Sequence, residues 1–312
     1  MDKHTVAVMS DIHSNHRAFK ACYEDALRHG ADRFVFLGDY VSDLAQTRET
    51  LDLLYEIRDR YPTVCLRGNR ERYMLECEQG SVSFRPGSKS GSLLYTFEQL
   101  RPEDLAFFGA LGCFDTIRIG GMSVEVAHAF KEDDRLCFEK GDALIGQVFD
   151  GMETRLLLTG HSHRQYVARR EGKTIVNPGS VGVPQDGSWL SAYALLWAED
   201  GQFTVRLRQV LYDIRAVIHA QFASGLVERS HCWGISSLYD MICGREGTLR
   251  LLEAVSRHGD VYDETVWRRE AERMGMAFTE EEVMEVAGKI CSGTSYVTEN
   301  EAAYITVHRG AR

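Results

Sequence analysis

Five short apolar runs in this chain each lead into a residue that can hold a metal ion, and that recurrence limits the folds open to it. Thr5-Val6-Ala7-Val8-Met9 precedes Asp11 and His13. Arg33-Phe34-Val35-Phe36-Leu37 runs through Gly38 into Asp39, and Thr63-Val64-Cys65-Leu66 runs through Gly68 into Asn69. Ser123-Val124-Glu125-Val126-Ala127 ends at His128, and Arg155-Leu156-Leu157-Leu158 passes Thr159-Gly160 into His161 and His163. Runs this short, rich in Val, Leu and Phe, read as buried strands. Open α/β sheets bind ligands just beyond the carboxyl ends of their strands. Five such ends can bring two Asp, one Asn and four His to one rim. Carboxylate, amide oxygen and imidazole together suit divalent cations such as Mn²⁺, Fe²⁺ or Zn²⁺.

Taken singly, none of these residues is informative. An Asp after a strand is ordinarily a turn or cap residue, and a lone His there is ordinarily a hydrogen-bonded structural group. Gly38 and Gly68 alone signal tight turns. The repetition argues for a metal centre, as do the two i,i+2 pairs, Asp11 with His13 and His161 with His163. In an extended loop that spacing lets two side chains reach neighbouring positions, and clustered ligands outweigh single ones.

The order Ser10-Asp11-Ile12-His13-Ser14-Asn15, Gly38-Asp39, Gly68-Asn69, His128 and Gly160-His161-Ser162-His163 resembles the calcineurin-like metallophosphoesterases. The stretch Asn177-Pro178-Gly179-Ser180-Val181-Gly182-Val183-Pro184-Gln185-Asp186-Gly187 is similar to a segment of the small bacterial and archaeal phosphodiesterase-like branch. The resemblance runs from about residue 6 to about residue 223. It implies an α/β fold of two packed mixed β-sheets flanked by helices, an α-β-β-α sandwich. It also implies two divalent metal ions. Asp11, His13 and His163 would bind the first, Asn69, His128 and His161 the second, and Asp39 would bridge both. Mn²⁺ is the expected metal, with Fe, Zn or Ni as alternatives. A bridging carboxylate holds two cations about 3.5–4 Å apart, and a shared water acidified to hydroxide attacks phosphorus in line.

Two positions depart from the family pattern. The residue after Gly-Asn is usually His, sometimes Cys; here it is Arg70. The residue after the metal-binding His is usually Gly; here it is Ala129. Arg keeps its charge and cannot act as a general acid, but it can clamp phosphate oxygens in a fork. The expected catalytic set is therefore Asp39, Asn69, Arg70 and His128. Arg70 would favour substrates whose leaving group needs little protonation, or else another group is the acid. The alternative is a surface Arg70 paired with Glu71 or a neighbour. His16 is expected to begin a helix and face solvent.

The formal net charge of -10 argues against a general nucleic-acid or anionic-membrane binder. Two divalent cations would reverse that sign locally and admit a phosphate ester. No apolar run approaches the ~20 residues of a membrane span, and Met1-Asp2-Lys3-His4 passes directly into the first strand without a signal segment. The eight cysteines form no C-x-x-C pair. These features predict a cytoplasmic protein with free thiols whose partner is a small phosphate-ester or nucleotide substrate. Oligomeric state is left open.

Periodicity predicts a helix over 15–29, closed by Gly30, and another over 47–60, before Pro62. Alternating strands and helices predict a parallel sheet with crossover helices. Residues 80–91, rich in Ser and Gly, read as a loop over the site, and 93–111 as helical with a fresh start at Pro102. Gly120-Gly121 predicts a hairpin, and Glu199-Asp200-Gly201 a second one between 191–197 and 203–207. These later strands are expected to form a second sheet packed on the first. From about residue 226 the pattern changes: 247–257, 263–274 and 279–291 read as helices, the last with a Thr279/Glu282 capping pair. The chain is thus expected to divide into a metallophosphoesterase domain, 1–225, and a helical domain of unassigned role, 226–312. His219, His231, His258 and His308 lack ligand spacing. The favoured function is a dinuclear metal-dependent hydrolase of phosphate esters, a phosphodiesterase or phosphatase of small or nucleotide substrates. A phosphoprotein phosphatase and a non-catalytic interaction scaffold on the same fold are the alternatives.

Overall fold

Alternate residues of the apolar runs enter two different cores, which is why the runs read as continuously hydrophobic. The computed structural model describes residues 3–131, 133, 135–199, 201–293 and 305–307. Its first part is the series β1 (His4–Met9), α1 (His16–Arg28), β2 (Arg33–Phe36), α2 (Thr47–Arg60), β3 (Thr63–Cys65) and α3 (Asn69–Glu78). Then come α4 (Gly91–Phe97), α5 (Pro102–Ala110), β4 (Phe114–Ile119), β5 (Met122–Ala127), α6 (Ala143–Gly151), β6 (Leu156–Thr159), β7 (Gln165–Arg170) and β8 (Lys173–Pro178). The hairpin β9 (Ser191–Glu199) and β10 (Gln202–Val210) precedes α7 (Ile214–Ala223), α8 (Leu226–Cys243), α9 (Thr248–Ser256), α10 (Glu264–Arg273), α11 (Glu280–Gly293) and a short strand, β11 (Ile305–Val307).

The strands form two mixed sheets, ordered β11-β10-β9-β1-β2-β3 and β4-β5-β6-β8-β7. Val6, Val8, Val35, Leu196, Val124, Val126, Leu156 and Leu158 point into one core between the sheets. Their neighbours Ala7, Met9, Phe34, Phe36 and Leu195 face the opposite way, against α1 and α2, while Ala127 and Leu157 face Val148 and Phe149 of α6. Strands covered on both faces carry near-continuous apolar sequence. The result is the expected α-β-β-α sandwich. Helix α1 buries Ala18, Phe19, Cys22, Tyr23 and Ala26, and Asn15 caps it by accepting from the Ala18 N–H at 3.1 Å. Pro102 opens α5 at a position where no N–H is needed.

Two expectations are corrected. The 191–207 hairpin joins the first sheet, not the second: β9 runs antiparallel to β1, with Val6 opposite Leu196. With β2 on one side, β1 has an open edge on the other, and β9 takes that edge. The 80–91 loop does not lie over the site. It packs on α8 instead, where His231 has non-helical backbone (φ 44°, ψ -125°) and breaks the helical ladder. Gly87 N–H donates to the Arg229 carbonyl at 2.7 Å, and Cys232 N–H donates to Ser88 Oγ at 3.1 Å. Glu264 of α10 anchors Ser88 through two 2.6 Å bonds. The loop thus satisfies backbone groups that the kink leaves without helical partners.

Helices α9, α10 and α11 match the three expected, and Thr279 and Glu282 cap α11 reciprocally. Helices α7 and α8 and strand β11 were not legible from periodicity. Ile218, Leu238, Met241 and Val283 of the helical layer share one core with Leu44, Val183 and Trp189. Asp200 and His308 lie outside the described residues.

Candidate metal centre

The ends of β1, β2 and β3 in one sheet and of β5 and β6 in the other converge on a single rim. The β1 and β2 loops are stitched by backbone: Ile12 and His13 N–H donate to the Asp39 carbonyl at 2.8 and 3.0 Å. Glycine is required where the β3 loop crosses, since a Cβ on Gly68 would lie 2.1 Å from Asp39 Oδ1. Glu71 fastens the same crossing by accepting from the N–H groups of Asp39, Tyr40 and Gly68 at 2.8–2.9 Å. Burial, then the nearby Asp39, pushes the Glu71 carboxyl up to about 7. Asp11, His13, Asp39, His161 and His163 all hold left-handed backbone, with φ between 48° and 67°. Such conformations cost a non-glycine residue about 1–3 kcal/mol and cluster at functional sites.

The side chains fall into two groups. Asp11, His13 and His163 place their ligand atoms within 4.8 Å of one another, and Asp39, His128 and His161 do the same. Asp39 Oδ2 lies between the groups, 3.7 Å from His13 Nε2 and 3.6 Å from His128 Nε2. Asn69 Oδ1 is 3.1 Å from His128 Nε2. All seven expected ligand positions are therefore brought together.

The donor set fits divalent cations. His163 Nδ1 sits 2.8 Å from the Val183 carbonyl and His128 Nδ1 sits 2.8 Å from the Leu37 carbonyl. A carbonyl only accepts, so each Nδ1 carries a proton, and in the neutral ring that a metal requires each Nε2 is bare. Burial lowers the pKa of both rings, but Asp39 and Asp11 beside His128, and Asp11 beside His163, raise it above the ordinary value. The bare Nε2 of His163 faces His13 Nε2 at 3.0 Å, and that of His128 faces carboxylate and amide oxygens. With the rings neutral, acceptors face acceptors, and a cation between them would satisfy both. Asp11 Oδ1 is buried without a hydrogen-bond partner. Burial opposes its charge, but His163, His128 and His13 together hold the Asp11 carboxyl well below the usual range. Burial, with His128 beside it, pushes His161 down to about 4, which favours the neutral, ligating form.

Arg70 points into the site. Its Nη2 is 2.9 Å from Asp43 Oδ2, its Nε is 4.0 Å from Asp39 Oδ2, and its side chain is only 20% exposed. The surface alternative, with Glu71 as partner, is not what the fold adopts. Burial opposes the guanidinium charge, but Asp43 and Asp39 raise its pKa above the ordinary value. His16 begins α1, half-buried, with Nδ1 3.1 Å from the Glu49 carbonyl, and takes no part in the site. His219 and His258 pair with Glu280 and Glu270 on the helices.

Sequence reasoning missed Asp43 and Trp233. Asp43 Oδ2 is 3.0 Å from His13 Nδ1, and Asp43 Oδ1 accepts from the Trp233 indole N–H at 3.1 Å. The available signal was an acid four residues after Asp39 in the same loop; for Trp233 there was none. The 177–187 segment cradles two ligand loops. Asn177 Nδ2 donates to the Gly160 carbonyl at 2.8 Å and Ser162 Oγ at 3.0 Å, and Ser180 Oγ donates to the Asp11 carbonyl at 2.7 Å. A cavity of about 320 Å³ opens on the centre, with Asp39, Asn69, Arg70 and His161 on one side and Trp233 and Leu249 of the helical layer on another.

A model of the calcineurin-like phosphoesterase superfamily domain matches residues 5–201. An uncharacterized protein of Methanocaldococcus jannaschii is 29% identical over 234 residues, which cover 69% of this chain and 90% of that protein. A metallophosphoesterase from Sphaerobacter thermophilus superposes with a TM-score of 0.61 at 21% identity, over 78% of this chain and 99% of that one. A hypothetical protein from Pyrococcus horikoshii gives 0.63 at 17% identity, over 77% and 98%. Both solved structures share the fold. With the matching segment spanning every strand-end ligand, the chain belongs to the calcineurin-like phosphoesterase superfamily.

Proposed function

We propose that this chain is a dinuclear metal-dependent hydrolase of small phosphate esters, with diesters and activated monoesters favoured over phosphoproteins. The observation that carries the reading is the position of Asp39 Oδ2, within 3.7 Å of one imidazole from each ligand group. Asp11, His13 and His163 would hold one cation, Asn69, His128 and His161 the other, and Asp39 both; Mn²⁺ is the proposed metal, with Fe, Zn or Ni as alternatives. Bound there, the cations supply positive charge and an activated water for attack on phosphorus. Asp39 fixes the separation of the two positions. Arg70, held at Asp43, presents its remaining N–H groups to phosphoryl oxygens and offsets charge that grows in the transition state. It moves no proton, so substrates with good leaving groups are favoured.

We place the protein in the cytoplasm, which suits its eight free cysteines. No described helix is long and apolar enough to cross a membrane. The test is metal reconstitution followed by a screen of aryl monoesters, aryl diesters, cyclic nucleotides and dinucleoside polyphosphates. Two equivalents of metal with turnover of an aryl diester are expected. Full metal loading without turnover of any ester would sink the proposal.

A further inference from the structure

Trp233 and Leu249, apolar side chains of the helical layer, line the cavity and take no part in the candidate metal centre. Trp233, on α8, is half-buried in its wall, with the indole N–H tied to Asp43. Its ring meets Trp267 edge-on at 6.1 Å between centroids, so Trp233 is braced on the helical side. Leu249, on α9, lines the same cavity and is 54% exposed, unusual for a large apolar residue of this chain. The kink at His231, held by the 87–91 loop, lies two residues before Trp233 and sets where its ring emerges.

The charges around these two residues are one-sided. Glu139, Asp240 and Glu246 line the cavity, and Arg70 is the single Lys or Arg among its described lining residues. Arg164, Arg245 and Arg250 line a separate groove that meets the cavity at Gln185 and Glu246. Arg164 is moreover engaged with Glu139 at 3.3 Å. A second phosphate beside Trp233 would meet carboxylates, whereas an uncharged ring would meet an aromatic wall and an aliphatic one.

We infer that Trp233 and Leu249 form a subsite for a flat, uncharged aromatic group carried by the phosphoryl substrate, and that Trp233 is its specificity-determining residue. This rests on the phosphoesterase reading above. The ring is that of an aryl ester or a nucleobase; stacking serves either, because both present a π-face. The helical layer thereby supplies an aromatic contact beside the phosphoryl contacts of the sandwich.

Binding of phenylphosphonate and methylphosphonate to the full-length, metal-reconstituted chain, measured by calorimetry, separates the two layers of the argument. The shared phosphonate group reports the metal centre, and the ratio of affinities reports the ring. Phenylphosphonate should bind wild type about five- to a hundredfold more tightly, the range for one stacked ring. Trp233→Ala should collapse that ratio towards one. Trp233→Phe should keep most of it while losing the N–H to Asp43. Leu249→Ser, a neutral change at an exposed position that does not endanger folding, should lower phenylphosphonate binding and leave methylphosphonate binding unchanged, and carries the test if Trp233→Ala does not fold. Phenylphosphonate with a para carboxylate should bind more weakly than phenylphosphonate itself; the reverse order overturns the subsite. Equal affinity of wild type for the two simple phosphonates also overturns the subsite and leaves the phosphoryl site intact. Binding of neither overturns both.

Discussion

Arg70 Nη2 and Asp43 Oδ2 lie 2.9 Å apart, and the same oxygen faces His13 Nδ1 at 3.0 Å. One carboxylate therefore lies against both a candidate ligand imidazole and the guanidinium that stands where the family usually has His. Burial opposes the charge on Asp43, but Arg70, then His13, keeps its carboxyl well below the ordinary range. The pairing fixes Arg70 in the cavity with its net charge offset on one side only.

Arg70→Ala should lower kcat/KM on phosphate esters by about ten- to a thousandfold, the range for removing one charge-stabilising donor. Arg70→His should restore part of the activity, most on poor leaving groups, because only His can also donate a proton. A series of aryl esters of graded leaving-group pKa measures both effects. Wild-type behaviour of Arg70→Ala across that series would remove Arg70 from the mechanism.

Asp43→Asn should weaken the metal at Asp11, His13 and His163 by about ten- to a hundredfold, as loss of a group orienting a ligand does. The amide keeps an oxygen beside His13 Nδ1 but no longer carries the charge that holds Arg70. Metal titration of the variant checks this: a single weakened equivalent is expected, with the other unchanged.

Asp39→Asn should affect both equivalents together and abolish more activity than any substitution in α9, α10 or α11 outside the cavity. Near-normal turnover with full metal content would contradict a shared carboxylate. The contrast with Asp43→Asn makes the two experiments a pair.

Asp240 gives a pH signature independent of catalysis. It accepts from Gly247 and Thr248 N–H, and burial pushes its carboxyl up to about 7 from an ordinary 3.8. Between those values the folded chain binds more protons at this group than the unfolded chain, so stability falls as pH rises through that window. Asp240→Asn keeps the acceptor and loses the titration. Its stability relative to wild type should therefore rise from pH 5 towards pH 8, by about 1.4 kcal/mol per unit of pKa displacement crossed, and its Tm relative to wild type should rise with it. A difference in Tm that stays flat over that range would refute the assignment.

The strand-end pattern carried the sandwich and its rim, because strands buried on both faces print uninterrupted apolar runs and the ligands sit immediately after them. The seven ligand positions were legible for the same reason. The β9–β10 hairpin was legible but its sheet was not, since pairing depends on which strand has an open edge. The kink at His231 leaves no periodic trace, so α8 was missed and Trp233 with it. The left-handed backbone at five of the candidate ligands is equally silent, because Asp and His, although enriched there among non-glycine residues, adopt it far less often than Gly. Asp43 was hidden by its neighbour: an acid beside Asp39 reads as loop polarity until the fold turns it towards His13.

The core shared by Leu44, Val183 and Trp189 with α7, α8 and α11 bears on where this polypeptide can be cut. Leu44 follows Asp43 directly, and Val183 supplies the carbonyl that orients His163. Removal of the chain after β10 would take the cover from both loops at once, baring apolar side chains beneath the candidate ligands. Damage to the helices would therefore expose apolar surface at the candidate site itself and not at a distance from it.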